Sequence, residues 1–277
     1  MPQASETTPF TVHRSGVSLS GEATGSGRAL VLLHGLTATR RYVVHGSKRL
    51  QRAGYRVVAY DARGHGASAG PVDPAAYEYG DLVADLCAVL DAEVAGPVVL
   101  VGASMGAHTA VALSVEQPER VAALVLITPA YTVPQSSPPE LAAWDALANG
   151  LSKGGVEGFI EAWDPKVSDE WVETARRIAR QRLSEHRDLH AVAQALRVVP
   201  RSTPFSGLDE LEGLERPTLV VGSRDEADPA HPLAVAQAYA EQLPNAELLV
   251  EDAGESPLAW QGGRLSRAIE AFLARAL

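Results

Sequence analysis

The segment that decides the fold is Pro97-Val98-Val99-Leu100-Val101-Gly102-Ala103-Ser104-Met105-Gly106, an apolar run that leads into a serine between two glycines. Residues 98–101 have the composition of a buried strand, and residues 107–117 have the apolar spacing of a helix. The sequence therefore predicts a sharp strand-to-helix turn with Ser104 at its apex. Gly102 and Gly106 suit this turn, because side chains there would collide with strand and helix. Such a serine is typical of acyl transfer by an activated hydroxyl; an ordinary turn that happens to hold a serine is the alternative.

Strands and helices alternate on both sides of this turn. After an opening hairpin in residues 10–23, strands are predicted at the apolar runs 28–33, 56–60, 98–101, 121–127, 218–221 and 246–250. Helical spacing is found at 40–53, 77–94, 107–117, 233–243 and 256–277. Apolar strands that alternate with helices indicate a parallel sheet covered on both faces, so the predicted fold class is α/β.

One stretch, residues 131–215, breaks the alternation. It opens with a segment rich in Pro and Ser (134–139) and continues with helical patterns at 140–149, 155–163, 169–186 and 189–198. A helical insertion between two strands predicts a cap, or lid, on a single core formed by residues 1–130 and 216–277. Trp144, Trp163 and Trp171 lie in this cap. They either line an apolar pocket or, as we expect for most of them, pack the cap onto the core.

Composition limits the classes of function. The 277 residues are 46% hydrophobic and 21% charged, with a net charge of −10 and no basic patch, which argues against a nucleic-acid partner. Cys87 is the only cysteine, so it forms no intramolecular disulfide, and its helical surroundings indicate a small core residue. The chain has no targeting signal and no stretch that could span a bilayer, which predicts a cytoplasmic protein without a membrane partner. Motifs for a metal or a nucleotide cofactor are absent from the sequence, so neither is expected, and the oligomeric state cannot be predicted.

Functional residues in an open parallel sheet collect at the carboxyl ends of its strands. The first strand ends at His34-Gly35-Leu36, where Gly35 allows the backbone to approach a ligand closely. The backbone amide of Leu36 is therefore a candidate donor to an oxyanion, together with the amide of Met105. We expect His34 itself to form structural hydrogen bonds beneath this loop.

Two other strand ends carry ionisable side chains. Asp61 and His65 follow the strand at 56–60, and we favour local hydrogen bonds that fix their loop over a role in chemistry. The strand at 218–221 is followed by Gly222-Ser-Arg-Asp225-Glu-Ala-Asp228-Pro229. An acid in this loop could orient a catalytic base, with Asp225 as the first candidate and Asp228 as the alternative.

These motifs together resemble the α/β-hydrolase superfamily, in particular its serine esterases and lipases, over nearly the whole chain. The resemblance is carried by His34-Gly35, Asp61-x-Arg63-Gly64-His65-Gly66-x-Ser68, the turn around Ser104, Gly222-x-x-Asp225 and Gly254-x-Ser256-Pro257. It implies a mostly parallel, eight-stranded-type sheet and cofactor-free hydrolysis of a small ester or related acyl substrate. It also implies a catalytic triad with Ser104 as nucleophile and Asp225 as acid, and an oxyanion hole formed by Leu36 and Met105.

The chain departs from this pattern at Glu255, which stands where the resemblance places the catalytic histidine. A free glutamate has a pKa near ~4.3, which is poorly suited to accepting and returning a proton at neutral pH. Beside Asp225 it would be a second carboxylate, and the pair would share a proton. The sequence therefore predicts a carboxylic ester hydrolase with strongly reduced activity.

Three alternatives remain open. Glu255 could act as the base if burial and Asp225 raise its pKa. The fold could serve a ligand-binding protein without turnover. Another histidine could replace the missing base; His231 is the best candidate, but we expect it to lie on the wrong side of Asp225 to reach Ser104. The remaining histidines in question are expected to be structural or solvated: His45, His108, His186 and His190.

Overall fold

The computed structural model describes residues 6–130, 137–255, 260 and 263–277. Within them, one sheet has the strand order β1-β2-β4-β3-β5-β6-β7-β8. The strands are β1 (Thr7–Arg14), β2 (Val17–Thr24), β3 (Ala29–Leu33), β4 (Arg56–Tyr60), β5 (Val98–Ala103), β6 (Val121–Ile127), β7 (Thr218–Gly222) and β8 (Ala246–Val250). Strand β2 is antiparallel to β1 and β4, and the other pairings are parallel. The predicted α/β class, hairpin and apolar strands are confirmed.

Helices cover both faces of the sheet, because the side chains of the central strands alternate between two apolar layers. Val98 and Leu100 of β5 point into one layer, and Val99 and Val101 point into the other. The helices are α1 (Arg49–Arg52), α2 (Tyr79–Glu93), α3 (Met105–Glu116), α4 (Pro138–Ala162), α5 (Asp169–Leu183), α6 (Leu189–Val198), α7 (Leu233–Gln242) and α8 (Gly263–Ala276). The first layer packs against α2, α3 and α7, and the second packs against α1 and α8. None of the helices described is long and apolar enough to cross a membrane.

The prediction of one helix over residues 40–53 is wrong. Only a short turn at Arg40–Tyr42 and the four-residue helix α1 form there. His45 and Gly46 have φ values of 48° and 71°, which an α-helix cannot contain. The segment is held instead by Asp61, whose Oδ1 accepts a hydrogen bond from the Arg40 amide at 2.8 Å. This tie keeps the loop after β3 close to the end of β4.

The helices α4, α5 and α6 occupy the chain between β6 and β7, in the region predicted as a cap. They share an apolar cluster of their own, against which Leu36 from the loop after β3 also packs. Trp144 and Trp163 pack on the same cluster, which is formed by these three helices themselves, so the packing of the cap onto the core expected for most of the tryptophans stays a prediction. The helix α4 spans both predicted helices, with a kink at Gly155, where φ is 61° and ψ is −146°. The division into a core and a cap stays a prediction.

Some sequence motifs fall outside the described residues. These are Ser256 and Pro257 of the last motif, the start of the helix predicted over 256–277, and residues 134–136 of the segment 134–139.

Candidate active site

Ser104 lies at the apex of the turn between β5 and α3. Its φ of 50° and ψ of −113° are rare for a residue with a side chain. A Cβ atom at Gly102 would lie 2.2 Å from the Gly106 carbonyl oxygen, and one at Gly106 would lie 2.2 Å from the Leu33 carbonyl oxygen. Both glycines are therefore required by close packing, as the sequence predicted. The turn leaves the Ser104 side chain partly exposed at the carboxyl edge of the sheet.

The loop after β3 runs directly beside Ser104. A Cβ atom at Gly35 would lie 3.4 Å from the Cβ atom of Ser104. His34 holds this loop from below, because its Nδ1 donates to the Gly35 carbonyl at 2.8 Å and its Nε2 accepts from the Ala62 amide at 2.9 Å. The structural role expected for His34 is thus confirmed.

The two amides proposed for an oxyanion hole flank Ser104. Met105 is the first residue of α3, where backbone amides have no partner within the helix and the helix dipole is positive. In the part of the chain that the structure describes, neither the Met105 amide nor the Leu36 amide donates to another protein group. Both donors are therefore available to a developing negative charge, and their role stays a prediction.

His231 contacts Ser104 directly. Its Nε2 lies 2.9 Å from Ser104 Oγ, and its Nδ1 lies 2.8 Å from Asp228 Oδ2. The expectation that His231 lies on the wrong side of its loop is wrong. The loop after β7 folds into consecutive turns, in which the Asp228 amide donates to the Arg224 carbonyl and the His231 amide donates to the Asp228 carbonyl. These turns return the chain across β6 towards β5.

The electrostatics of this chain of contacts favour an imidazole held by a carboxylate. Burial alone would lower the pKa of His231, but the charge of Asp228 and its hydrogen bond outweigh burial and raise that pKa. Burial alone would raise the pKa of Asp228, yet the neighbouring His231 and the charge of Arg182 lower it. When Nδ1 donates to the ionised Asp228, Nε2 is left as the acceptor for the Ser104 hydroxyl.

Asp225 and Glu255, the two residues first expected to complete the triad, make other contacts. Asp225 is exposed, and its Oδ1 accepts from the Leu233 amide at 2.8 Å, so it binds the start of α7. Glu255 accepts from the Asp252 amide at 2.9 Å and pairs with Arg264. The hydrogen bond from Arg264 lowers the pKa of Glu255, whereas a base at neutral pH would need a raised value. Neither carboxylate bonds to Ser104 or His231 among the contacts of the described residues.

A buried carboxylate that the sequence did not single out, Glu251, anchors the loop that carries His231. It is 1% exposed and lies directly after β8. Its Oε1 accepts from Ser223 Oγ at 2.7 Å and from the Arg224 amide at 2.6 Å, and its Oε2 accepts from Trp260 Nε1 at 3.1 Å. These bonds fix the first residues of the His231 loop to the neighbouring strand. The sequence did contain a signal for this role: Glu251 is an acidic residue directly after β8, the strand that pairs with β7.

The loop after β4 is structural, as predicted. Asp61 accepts from the Ala67 amide at 2.9 Å, Ser68 Oγ donates to the Asp61 carbonyl at 2.6 Å, and His65 Nδ1 donates to the Arg63 carbonyl at 2.9 Å. Burial lowers the pKa of His65 well below its ordinary value, so this imidazole is neutral.

The other histidines are also away from the reacting atoms. His108 Nε2 accepts from the Ala130 amide at 3.1 Å, and burial lowers its pKa to about 3. His186 Nδ1 accepts from the Gly66 amide at 2.8 Å, and burial lowers its pKa to about 4. His190 is exposed. The structural or solvated roles expected for these three are confirmed, and the described residues contain no cluster of side chains that could hold a metal ion.

Comparison with known proteins agrees with this geometry. The chain belongs to the alpha/beta hydrolase family, because a sequence model of that family matches residues 30–268. It is 29% identical over 254 residues to a protein of Variovorax paradoxus (strain S110) named "Putative carbamate hydrolase RutD", a match that covers 90% of this chain and 92% of that protein.

Solved structures share the same fold. A thermophilic esterase from Thermogutta terrifontis superposes with a TM-score of 0.77 at 23% identity, over 98% of this chain and 99% of that one. The enol-lactonase from Burkholderia xenovorans LB400 gives a TM-score of 0.77 at 22% identity, over 96% and 100% of the two chains.

Proposed function

We propose that this chain is a serine hydrolase that cleaves carboxylic esters through an acyl-enzyme, with Ser104 as nucleophile, His231 as general base and Asp228 as the acid that orients it. The observation that carries the proposal is the unbroken contact from Ser104 Oγ to His231 Nε2 and from His231 Nδ1 to Asp228 Oδ2, at 2.9 and 2.8 Å. Nucleophile, base and orienting acid within hydrogen-bond reach are the arrangement that activates a serine hydroxyl.

In the acylation half, Ser104 Oγ attacks the ester carbonyl carbon while its proton passes to His231 Nε2. The carbonyl oxygen becomes an oxyanion, which we expect the Leu36 and Met105 amides to bind, since both residues lie next to Ser104. The tetrahedral intermediate then collapses: the bond to the alcohol oxygen breaks, and the alcohol leaves with the proton from His231. Asp228 stabilises the imidazolium that exists between the two proton transfers.

In the deacylation half, water takes the place of the alcohol. His231 Nε2 accepts a proton from the water, whose oxygen attacks the acyl carbon. Collapse of the second tetrahedral intermediate breaks the bond to Ser104 Oγ, which recovers its proton from His231. The products are a carboxylic acid and the free enzyme, so no cofactor is needed for the atoms or protons to balance.

This proposal replaces the expectation of an enzyme weakened by Glu255. A histidine is already within reach of the nucleophile, so a carboxylate at position 255 removes nothing from the reaction. The serine at the apex also argues for acyl transfer over the aspartate-based chemistry of epoxide and halide cleavage. The similar proteins include ones named as an esterase, a lactonase and a carbamate hydrolase, and these names support an acyl-transfer reaction in general.

The test is steady-state and burst hydrolysis of p-nitrophenyl acetate by four proteins: the wild type and the variants Ser104→Ala, His231→Gln and Glu255→Gln. We expect turnover by the wild type, a loss of about 10³-fold or more in the first two variants, and wild-type rates in Glu255→Gln. Circular dichroism and thermal melts verify that each variant is folded. A wild type that neither turns over nor releases a burst of nitrophenol would favour the alternative of a ligand-binding protein and refute the proposal.

A further inference from the structure

Arg182 is a mostly buried cation with no partner among the residues that the structure describes, and it lies close to the loop that carries Leu36. It belongs to the last turn of α5, and the next residue, Leu183, is buried in the apolar cluster of α4, α5 and α6. The chain that follows is fastened to the loop after β3: Glu185 accepts from Tyr42 and Thr39, and His186 Nε2 bonds to the Thr37 carbonyl at 3.1 Å. The position of Arg182 is therefore fixed from both sides.

The guanidinium of Arg182 makes neither a hydrogen bond nor an ion pair with any residue that the structure describes, and its Nε atom is inaccessible to solvent and unpartnered. Other arginines nearby are paired: Arg40 with Asp61, Arg41 with Glu185, and Arg180 with Glu157. Removing a guanidinium from water without a partner is costly, so an unpaired one beside a reactive centre is a candidate ligand contact.

The charge of Arg182 acts on the proposed triad without being bonded to it. It contributes to the lowered pKa of Asp228 and opposes the rise in the pKa of His231. It also acts on the pKa values of Tyr42 and His45. The Arg182–Asp228 separation exceeds salt-bridge distance, because Arg182 has no ion pair with any described residue. The Arg182 charge is therefore within electrostatic range of Asp228 and His231, while the described residues leave its hydrogen-bond donors unused.

We propose that Arg182 binds a carboxylate of the substrate, so that the preferred substrate is an ester whose acyl or alcohol part carries one negative charge. This inference rests on the proposed function. A guanidinium donates through a planar fork that matches a carboxylate, and it binds best where water is excluded. One unpaired cation balances one negative charge, whereas a doubly charged phosphate would also meet the charge of Asp228 and the chain's net charge of −10.

The test compares a neutral and a carboxylate-bearing member of two ester pairs. In one pair the charge is on the acyl part, as in p-nitrophenyl butyrate against mono-p-nitrophenyl glutarate. In the other it is on the leaving group, as in phenyl acetate against 4-acetoxybenzoate. The variant is Arg182→Gln. The control is Arg177→Gln, which removes the same charge from an exposed position on the same helix.

We expect the wild type to favour the charged member of at least one pair. Arg182→Gln should lower kcat/KM for that charged ester by about 10- to 100-fold and leave its neutral counterpart within about threefold. Arg182→Lys should recover part of the loss, and Arg177→Gln should lose nothing. Glutarate or 4-hydroxybenzoate, whichever charged product the preferred ester releases, should also raise the melting temperature of the wild type more than that of Arg182→Gln.

Two results would overturn the inference while leaving the proposed function intact. One is a wild type that hydrolyses the neutral ester of each pair at least as well as the charged one. The other is an equal loss on neutral and charged esters in Arg182→Gln, which would make Arg182 a positioning residue for the triad. Failure of the wild type to hydrolyse any of the four esters would instead count against the proposed function, and with it against this inference.

Discussion

Buried neutral histidines should make this protein lose stability in mild acid. His108 and His186 are 1% and 8% exposed, and burial lowers their pKa values to about 3 and about 4. Both use ring nitrogens as acceptors, from the Ala130 and Gly66 amides, and a proton on those nitrogens would break the bonds. In the unfolded chain each histidine titrates near ~6.5.

The direction of the effect follows from proton binding. Above about pH 6.5 both histidines are neutral in the folded and unfolded chains and leave stability unchanged. As the pH falls below that value, the two histidines bind protons in the unfolded chain but not in the folded chain. The free energy of unfolding therefore declines until the pH reaches the pKa that each histidine has in the folded protein. At about pH 5 each histidine lies about 1.5 units below its unfolded pKa, which corresponds to about 2 kcal/mol. Together the two account for a loss of about 4 kcal/mol.

Urea unfolding at about pH 7.5 and about pH 5 measures this loss as the difference in free energy of unfolding. In His186→Gln the difference should shrink by about 2 kcal/mol, because glutamine does not titrate. The same change at the exposed His190 should leave the difference as it is in the wild type. His231 acts in the opposite direction: its raised pKa adds stability at low pH that is lost as the pH rises through that pKa. A wild type equally stable at both pH values, or a His186→Gln variant with an undiminished difference, would refute the reasoning.

Three further predictions concern the site itself. Since Asp228 raises the pKa of His231, kcat/KM of the wild type should fall in acid through a pKa above 6.5. In Asp228→Asn the acid limb of the pH–rate profile should move to lower pH, and the plateau value of kcat/KM should drop about 10⁴-fold. Measured pH–rate profiles of the two proteins test both expectations. Glu255→His should change kcat by less than about threefold, because position 255 is bound to Arg264 and does not touch the nucleophile; a gain of orders of magnitude in an ester assay would restore the weakened-enzyme hypothesis. Ser104→Gly should abolish ester hydrolysis yet raise the free energy of unfolding by about 1–2 kcal/mol, since glycine tolerates the φ of 50°. Urea unfolding curves that show an unchanged or lower stability would contradict the claim that the Ser104 backbone is strained.

The sequence was sufficient for the sheet and for the turn that carries Ser104 because local signals determine both. Strands such as Val121–Ile127 are continuous apolar runs, and their predicted bounds agree with the structure. The turn at Ser104 follows from two glycines whose absent side chains make room for neighbouring backbone. The helix predicted over residues 40–53 failed because its apolar spacing carried no information about the left-handed residues His45 and Gly46, or about the tie to Asp61.

The contact between His231 and Ser104 could not be derived by the same means, because the position of His231 depends on the path of a loop. Strand β7 is separated from β5 by β6, so a side chain after β7 must cross roughly 10 Å to meet Ser104. Residues 223–232 are long enough to do so, but only the consecutive turns and the anchor at Glu251 decide that His231 points back and Asp225 points outwards. The spacing Asp228-x-x-His231 was the readable signal, since residues three apart in a turn can share a hydrogen bond.

The central claim, that the His231 imidazole activates Ser104, is tested most directly by the rate at which a fluorophosphonate labels the enzyme. This reagent needs an activated serine but no knowledge of the natural substrate, and peptide mass spectrometry locates the adduct. We predict a label on Ser104 whose second-order rate constant falls about 10³-fold or more in His231→Gln and stays at the wild-type value in Glu255→Gln. Labelling that is unchanged in His231→Gln, or that is lost in Glu255→Gln, would contradict the account.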